Sequence, residues 1–178
     1  MNLHGPFIGT LYLPDTVVPS GTSPVMLSDG QTVAHIQWHM WTVRAKFEIL
    51  DPQGAVVAEG GSEGFTASRY VVRSPNGAEI VHLQLGMFRP INGSTATLAG
   101  GRRLRARLES VWSERRFEVF ADDDRMVGRI EPTTGVFSFR PDSYAFHLLA
   151  PVMSIVEAIG LAQALRAVTQ AKRRRAHS

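Results

Sequence analysis

The stretch Val152-Met-Ser-Ile-Val-Glu-Ala-Ile-Gly-Leu-Ala-Gln-Ala-Leu-Arg-Ala-Val-Thr-Gln170 decides the fold. It is the one good helix candidate in the chain. Pro151 is placed to open it, and Lys172, Arg173, Arg174 and Arg175 are placed to complement the negative end of its dipole. Its polar residues do not share a face. At about 100° per residue, Ser154 and Glu157 fall on one side while Gln163, Arg166 and Gln170 fall nearly opposite. The large apolar residues Val152, Met153, Ile155, Val156, Ile159, Leu161, Leu165 and Val168 point in every direction, so the helix must be enclosed. Burying those eight is worth roughly 12–24 kcal/mol gross, at about 1.5–3 kcal/mol each. Within such a core Glu157 requires a hydrogen-bond or arginine partner. A membrane-spanning helix is the competing reading. It fails because Leu148–Leu165 contains Pro151, Glu157 and Gln163 within about 18 residues, the bottom of the spanning range.

What encloses the helix is read from Val25 to Leu149, where short β-branched and aromatic runs alternate with turn residues. Phe47-Glu-Ile-Leu-Asp-Pro-Gln-Gly54 is echoed by Tyr70-Val-Val-Arg-Ser-Pro-Asn-Gly77, and more faintly by Phe117-Glu-Val-Phe-Ala-Asp-Asp-Asp124. Each is an aromatic-led strand running into a turn, in which Pro52 or Pro75 pre-sets φ and Gly54 or Gly77 supplies the positive φ. Return arms follow at Ala55–Glu59, Ala78–Leu85 and Met126–Ile130. Asp29-Gly30 signals a further hairpin between Val25-Met-Leu and Thr32-Val-Ala-His-Ile. Strands are also expected at Trp38–Leu50, Phe65–Val72, Arg103–Trp112, Val136–Arg140 and Tyr144–Leu149, for about 10–12 in all. An eight-stranded barrel has room only for its own side chains or one small ligand, whereas a helix is about 10 Å across. The expected fold is therefore mainly β: a closed antiparallel barrel of about 12 strands around a C-terminal hydrophobic α-helix. The chain divides into a proline-rich N-terminal segment (1–24), a single barrel domain (25–170, with the central helix at 152–170) and a basic tail (171–178).

With 178 residues, 44% hydrophobic and 20% charged, the chain has the balance of one globular domain. It has no cysteine, which excludes disulfides, thiolate nucleophiles and cysteine-held zinc or iron–sulfur centres. A reducing cytoplasm fits that usage. The formal charge of +3 comes from the tail: without Lys172–Arg175, 15 basic residues face 16 acidic ones. The body is thus no uniformly basic nucleic-acid binder. Met1–Pro24 holds four prolines and lacks a basic stretch followed by an apolar run, so it is not read as a signal peptide.

The hairpin signatures Phe47–Gly54 and Tyr70–Gly77, the block from Phe117-Glu-Val-Phe through Val127-Gly-Arg-Ile130, Val136-Phe-Ser-Phe139, Asp142-Ser-Tyr-Ala-Phe146 and the final helix together resemble the Tubby C-terminal-domain-like superfamily. Within it they look most like the LURP-one-related branch, a sister of the phospholipid scramblases. The resemblance implies a twelve-stranded barrel around a hydrophobic helix. It also implies a usually non-enzymatic protein that binds phosphoinositides, acts at membranes or serves in regulation. The cysteine-rich palmitoylation segment of the scramblases is absent, so scramblase-like lipid translocation is not implied.

Five constellations carry possible chemistry. Gly60-Gly-Ser62-Glu-Gly64 fits GxSxG, but a nucleophile elbow needs strand, turn and helix, and Phe65–Val72 reads as a strand. His35 and His39 would share a metal on a helix, whereas on a strand they lie about 13 Å apart and read as core or rim packing. Asp122, Asp123 and Asp124 suit a hard cation but read as a solvated turn. The tail Lys172–Arg175 reads as a helix cap, being short for a polybasic membrane anchor. Arg103, Arg105 and Arg107 alternate with Leu104, Ala106 and Leu108, so one strand face presents three guanidiniums. Arg102, Arg115 and Arg116 are expected nearby. Guanidinium forks suit phosphate, which makes this stripe the best anion- or lipid-binding candidate.

The expected function is that of a non-catalytic barrel binding anionic phospholipid head groups or an acidic partner. Its expected location is cytoplasmic and peripheral to a membrane. No enzymatic role, catalytic residue, metal, cofactor or nucleic-acid partner is expected. The alternatives are a barrel carrier with an apolar ligand in its lumen and the helix outside, or a hydrolase built on Ser62 or the histidines.

Overall fold

A computed structural model describes residues 2–14, 21–39, 46–64, 68–86, 91–109, 116–133 and 143–176. Twelve strands are described: β1 (Gly9–Pro14), β2 (Thr22–Leu27), β3 (Thr32–His39), β4 (Lys46–Leu50), β5 (Val56–Glu63), β6 (Arg69–Arg73), β7 (Glu79–Gln84), β8 (Ser94–Leu98), β9 (Arg103–Leu108), β10 (Phe117–Ala121), β11 (Met126–Pro132) and β12 (Ser143–Leu148). One helix follows, α1 (Ile155–Ala176). Every strand pairs antiparallel with its neighbours in sequence, and β1 pairs with β12 from Gly9 opposite Leu148 to Pro14 opposite Ser143. The described strands form a closed barrel, which leaves none of them an open edge to pair with another chain.

The two ends of the barrel differ. At one end five short turns join β2–β3, β4–β5, β6–β7, β8–β9 and β10–β11. The β4–β5 turn is typical. Asp51 N–H donates to Ala55 O at 2.8 Å and Gly54 N–H to Asp51 O at 3.0 Å, with Gly54 at φ 88°. The β6–β7 turn repeats this, with Ser74 and Ala78 in the same roles and Gly77 at φ 85°. In the β10–β11 turn the corresponding position is Asp124, at φ 60°. That is why the third copy of the repeat looked faint: a short polar residue takes the left-handed position that glycine fills elsewhere. At the other end run the longer connections.

The barrel encloses the helix, which packs most closely against β4, β5, β6 and β7. Every residue from Met153 to Thr169 is buried, including the apolar positions that pointed all ways in the sequence. Small residues on both surfaces let the layers meet. Gly160 of α1 sits so close to Val72 that a Cβ there would be 3.0 Å from its methyl. Gly60 and Gly128 in the barrel wall lie under the rings of Phe47 and Phe146.

The N-terminus departs from the sequence reading. The segment 1–24, expected to stand apart, supplies β1 and the first part of β2, so the barrel begins at Gly9 rather than Val25. Leu11 and Leu13 of β1 are fully buried. Before it, Leu3 O accepts from Val156 N–H at 3.2 Å and Phe7 N–H donates to Met153 O at 3.0 Å, which ties the N-terminal residues to the start of α1. The helix also begins later than expected. Pro151 is not its first residue; Ser154 and Glu157 form a reciprocal capping box instead. Glu157 N–H donates to Ser154 Oγ at 3.2 Å and Ser154 N–H to Glu157 Oε2 at 2.7 Å. The helix continues past Gln170 into the basic stretch. The expected single strand Trp38–Leu50 is the end of β3 and the whole of β4, while β8 was not anticipated. Val136–Arg140, Trp41, Trp112 and Arg115 lie outside the described residues.

Outside the barrel, Arg73 bridges two carboxylates, donating to Glu63 Oε1 and, at 3.1 Å, to Glu79 Oε1. The hydrogen bond from Arg73 holds the Glu63 carboxyl below its ordinary value of 4.5. A carboxyl depressed in the folded state adds stability above its unfolded value and loses it as pH falls through the folded one. Both side chains are more than a third exposed, so the contribution is at most about 1 kcal/mol. Melting curves recorded from about pH 6 to pH 3 should therefore show a shallower acid fall for Arg73→Gln than for the parent. Equal slopes would mean that the bridge adds nothing to stability.

Candidate functional site

The alternation read in β9 is present. Leu104 and Ala106 are each 2% exposed and face the core, whereas Arg103 and Arg107 are exposed and Arg105 is half-buried on the outer surface. Their neighbours follow from the register. On β8, Thr97 lies opposite Arg103 and Thr95 opposite Arg105. On β10, Phe120 lies opposite Arg105 and Glu118 opposite Arg107. The row thus combines guanidinium forks with hydroxyls on one side, and both groups donate to phosphate oxygens.

The stripe is not made of free cations. Arg105 Nη2 donates to Asp124 Oδ1 at 2.6 Å, and Arg107 Nη2 lies 3.8 Å from the same oxygen. The Arg107 guanidinium also stacks 4.7 Å from the centre of the Phe120 ring. Arg103 has no carboxylate partner among the described residues. Two of the three cations therefore share the Asp124 carboxylate, with Glu118 across from Arg107 on β10. The expected supporting arginines serve elsewhere. Arg102 turns inward to Glu157, with Nη2 to Oε1 at 2.8 Å, and donates to the carbonyls of Val152 and Ala99. Arg116 pairs with Glu109 at 3.3 Å, and Glu109 also accepts from Arg129.

The buried carboxylate of Glu157 thus finds both kinds of partner anticipated for it, a backbone donor and an arginine. Deeper along the helix, Gln163 Nε2 donates to the Tyr144 hydroxyl at 2.9 Å. Arg166 donates to Pro14 O at 3.2 Å and lies 5.8 Å from the Trp38 ring. The pattern of α1 marked these polar residues as enclosed, but their partners come from strands distant in sequence.

The other constellations do not converge. Ser62 is inside β5, opposite Tyr70, so it stands in a strand rather than at a strand-to-helix elbow. His35 and His39 lie on the outer side of β3, not in the core. His35 Nδ1 is 3.5 Å from Asp51 O, and His39 Nε2 is 3.3 Å from Glu48. Among the described residues no group of three or more histidine, aspartate or glutamate side chains is arranged to hold a metal. Asp122–Asp124 form the β10–β11 turn, where Asp123 Oδ1 accepts from Arg125 N–H at 3.1 Å. No helix among the described residues is long and apolar enough to cross a membrane. The sequence missed Asp124 as the anchor of the stripe and Phe120 as its stacking platform. The signal available was the β9–β10 register, which cannot be fixed until the intervening connection is placed.

These features define a closed twelve-stranded antiparallel barrel with a helix as its core and a cationic row on its wall. The same architecture is found in the X-ray structure of a protein from Arabidopsis thaliana, which matches with a TM-score of 0.57 over 96% of this chain and 94% of that one. The two are 13% identical, so the likeness is one of fold. No family model matches the chain. No curated protein matches it either.

Proposed function

We propose that the protein is a non-catalytic member of the Tubby-like, LURP-one-related kind, cytoplasmic and peripheral to membranes. Its β9 face binds the phosphate groups of anionic phospholipids. The observation that carries this reading is the row Arg103, Arg105 and Arg107 on one strand face, in which Asp124 holds Arg105 and Phe120 stacks against Arg107. Positions fixed in advance lower the cost of ordering long side chains on binding. The sequence resemblance and the fold likeness both support it. The carrier alternative requires a lumen free for an apolar compound and a helix outside, and α1 fills that lumen.

The test is co-sedimentation with anionic and neutral vesicles across a salt series. Anionic vesicles should bind the protein at low salt and release it as salt rises. Changing all three arginines to alanine should weaken binding at least tenfold, since each cation near the surface is worth about 1 kcal/mol. Absence of binding at low salt would discard the head-group reading.

A further inference from the structure

We infer that the outer wall across β7, β8 and β9 holds a phosphate-monoester site, with Arg103 and the Thr97 hydroxyl as its main donors and His82 and Thr95 beside them. This deepens the head-group reading above and rests on its phosphate chemistry. It narrows that reading from anionic lipid in general to a terminal phosphate, and from the whole stripe to one arginine.

The register brings the donors together. Val81 and Leu83 of β7, Ala96 and Leu98 of β8 and Leu104 of β9 are buried in the core, so His82, Thr97 and Arg103 face outward. His82 lies opposite Thr97 and Thr97 opposite Arg103, which sets them in one row across adjacent strands. Thr95 is on the same face of β8. Neighbouring strands are about 4.8 Å apart, so a phosphate seated over Thr97 is within reach of a guanidinium on one side and an imidazole on the other.

These donors are uncommitted, whereas the carboxylates around them are taken. Among the described residues neither Arg103 nor the two threonine hydroxyls have a side-chain partner. His82 Nε2 is buried without a hydrogen-bond partner, and a buried polar atom left so is costly. On the β7 flank Glu79, whose Oε2 is 3.9 Å from His82 Nδ1, accepts from Arg73 at 3.1 Å. On the β10 flank Asp124 accepts from Arg105. β8 itself carries no charged residue. Arg105 and Arg107 are engaged by Asp124 and Phe120, so the guanidinium fork open to a ligand is that of Arg103.

The number of donors selects the ligand. Each threonine offers one O–H, the guanidinium a fork of two N–H groups and the ring one N–H. A phosphate monoester meets them with about three acceptor oxygens and nearly two negative charges, and a second ester bond removes one of each. Donation from His82 Nε2 requires that nitrogen to turn outward. The side chain is 33% exposed, and χ2 of histidine is a broad two-fold torsion, so the ring has room to turn.

Phosphatidylcholine vesicles carrying either phosphatidic acid or phosphatidylglycerol, matched in zeta potential, separate the two chemistries, because the first presents a monoester and the second a diester. The protein should bind the phosphatidic acid vesicles about tenfold more tightly, as expected for one added charge-assisted hydrogen bond. Thr97→Val keeps the shape and Arg103→Lys keeps the charge. Each should remove most of the preference while leaving phosphatidylglycerol binding and melting temperature near those of the parent. His82→Gln should reduce the preference several-fold, and Arg105→Lys should leave it intact. Titration with glycerol 3-phosphate at constant ionic strength, followed by phosphorus NMR, reads the site without a bilayer, and its shift should vanish in Arg103→Lys. Equal affinity for the two vesicle types, or a preference that survives both Thr97→Val and Arg103→Lys, overturns the site and leaves the head-group reading standing. Binding of glycerol 3-phosphate without binding to either vesicle keeps the site, makes its ligand a soluble monoester and removes the head-group reading. Binding to none of the three removes both.

Discussion

Arg102→Ala is expected to destabilise the protein by about 3 kcal/mol or more, which for a chain of this size lowers the melting temperature by roughly 6–12 °C. The reason is an asymmetry within one ion pair. The Arg102 side chain is 46% exposed, whereas that of Glu157 is 3% exposed. Removing the arginine leaves a carboxylate in the barrel with Ser154 N–H as its remaining donor. A buried charge that loses its partner costs about 3–5 kcal/mol. Water reaching in from the arginine side places this case at the lower end of that range. The loss also frees the β8–β9 turn from the start of α1, because Arg102 bonds the carbonyls of Ala99 and Val152 as well. Arg105→Ala serves as the control. It breaks a pair whose carboxylate is 70% exposed and should cost at most about 1 kcal/mol. Adding Glu157→Gln to Arg102→Ala removes the stranded charge while keeping a Ser154 acceptor, and should recover part of the loss. A melting temperature within 2 °C of the parent for Arg102→Ala would show that the pair does not anchor the helix.

The legible parts of this fold were those whose chemistry is local. Pro52 with Gly54 and Pro75 with Gly77 marked their turns because φ preferences act within four residues. The all-round apolarity of α1 marked an enclosed helix, and enclosure by a closed sheet followed from helix width. The Ser154 and Glu157 capping box was equally local, but Pro151, three residues upstream, competed for the same role. β1 was hidden for a different reason. Its buried pair Leu11 and Leu13 is a short alternation between prolines, and its main partner β12 lies some 130 residues away in sequence. β8 was hidden because two of its three inward residues, Ser94 and Ala96, are small and give little hydrophobic signal, leaving Leu98 alone to mark the strand. The arginine stripe was legible as alternation. Its partial neutralisation was not, because Asp124 reaches Arg105 only once β9 and β10 are in register.

Gly60→Val should rank with Arg102→Ala, at about 3 kcal/mol. A Cβ at position 60 would stand 2.2 Å from Phe47 Cζ and 2.7 Å from both flanking ring carbons. Phe47 lies directly across from Gly60 on β4 and is 2% exposed, with its ring 5.2 Å from that of Trp38, so it cannot simply swing to solvent. The backbone at Gly60 has no positive φ and accepts any residue, which makes the cost one of space alone. Filling a packed core costs about 1–3 kcal/mol, and the branched side chain adds atoms beyond the Cβ that already clashes. Gly60→Ala should fall between valine and parent. Gly54→Ala separates space from conformation. At φ 88° with nothing within 4 Å of its Cβ, it should cost about 1–2 kcal/mol through backbone strain alone. The discriminating experiment adds Phe47→Leu to each. Shortening the ring opens room over position 60, so thermal melts of Gly60→Val with Phe47→Leu should show a loss smaller than the sum of the two single changes. The Gly54→Ala pair should be additive. Additivity at both positions would mean that the ring over Gly60 is not what holds the barrel wall at that point.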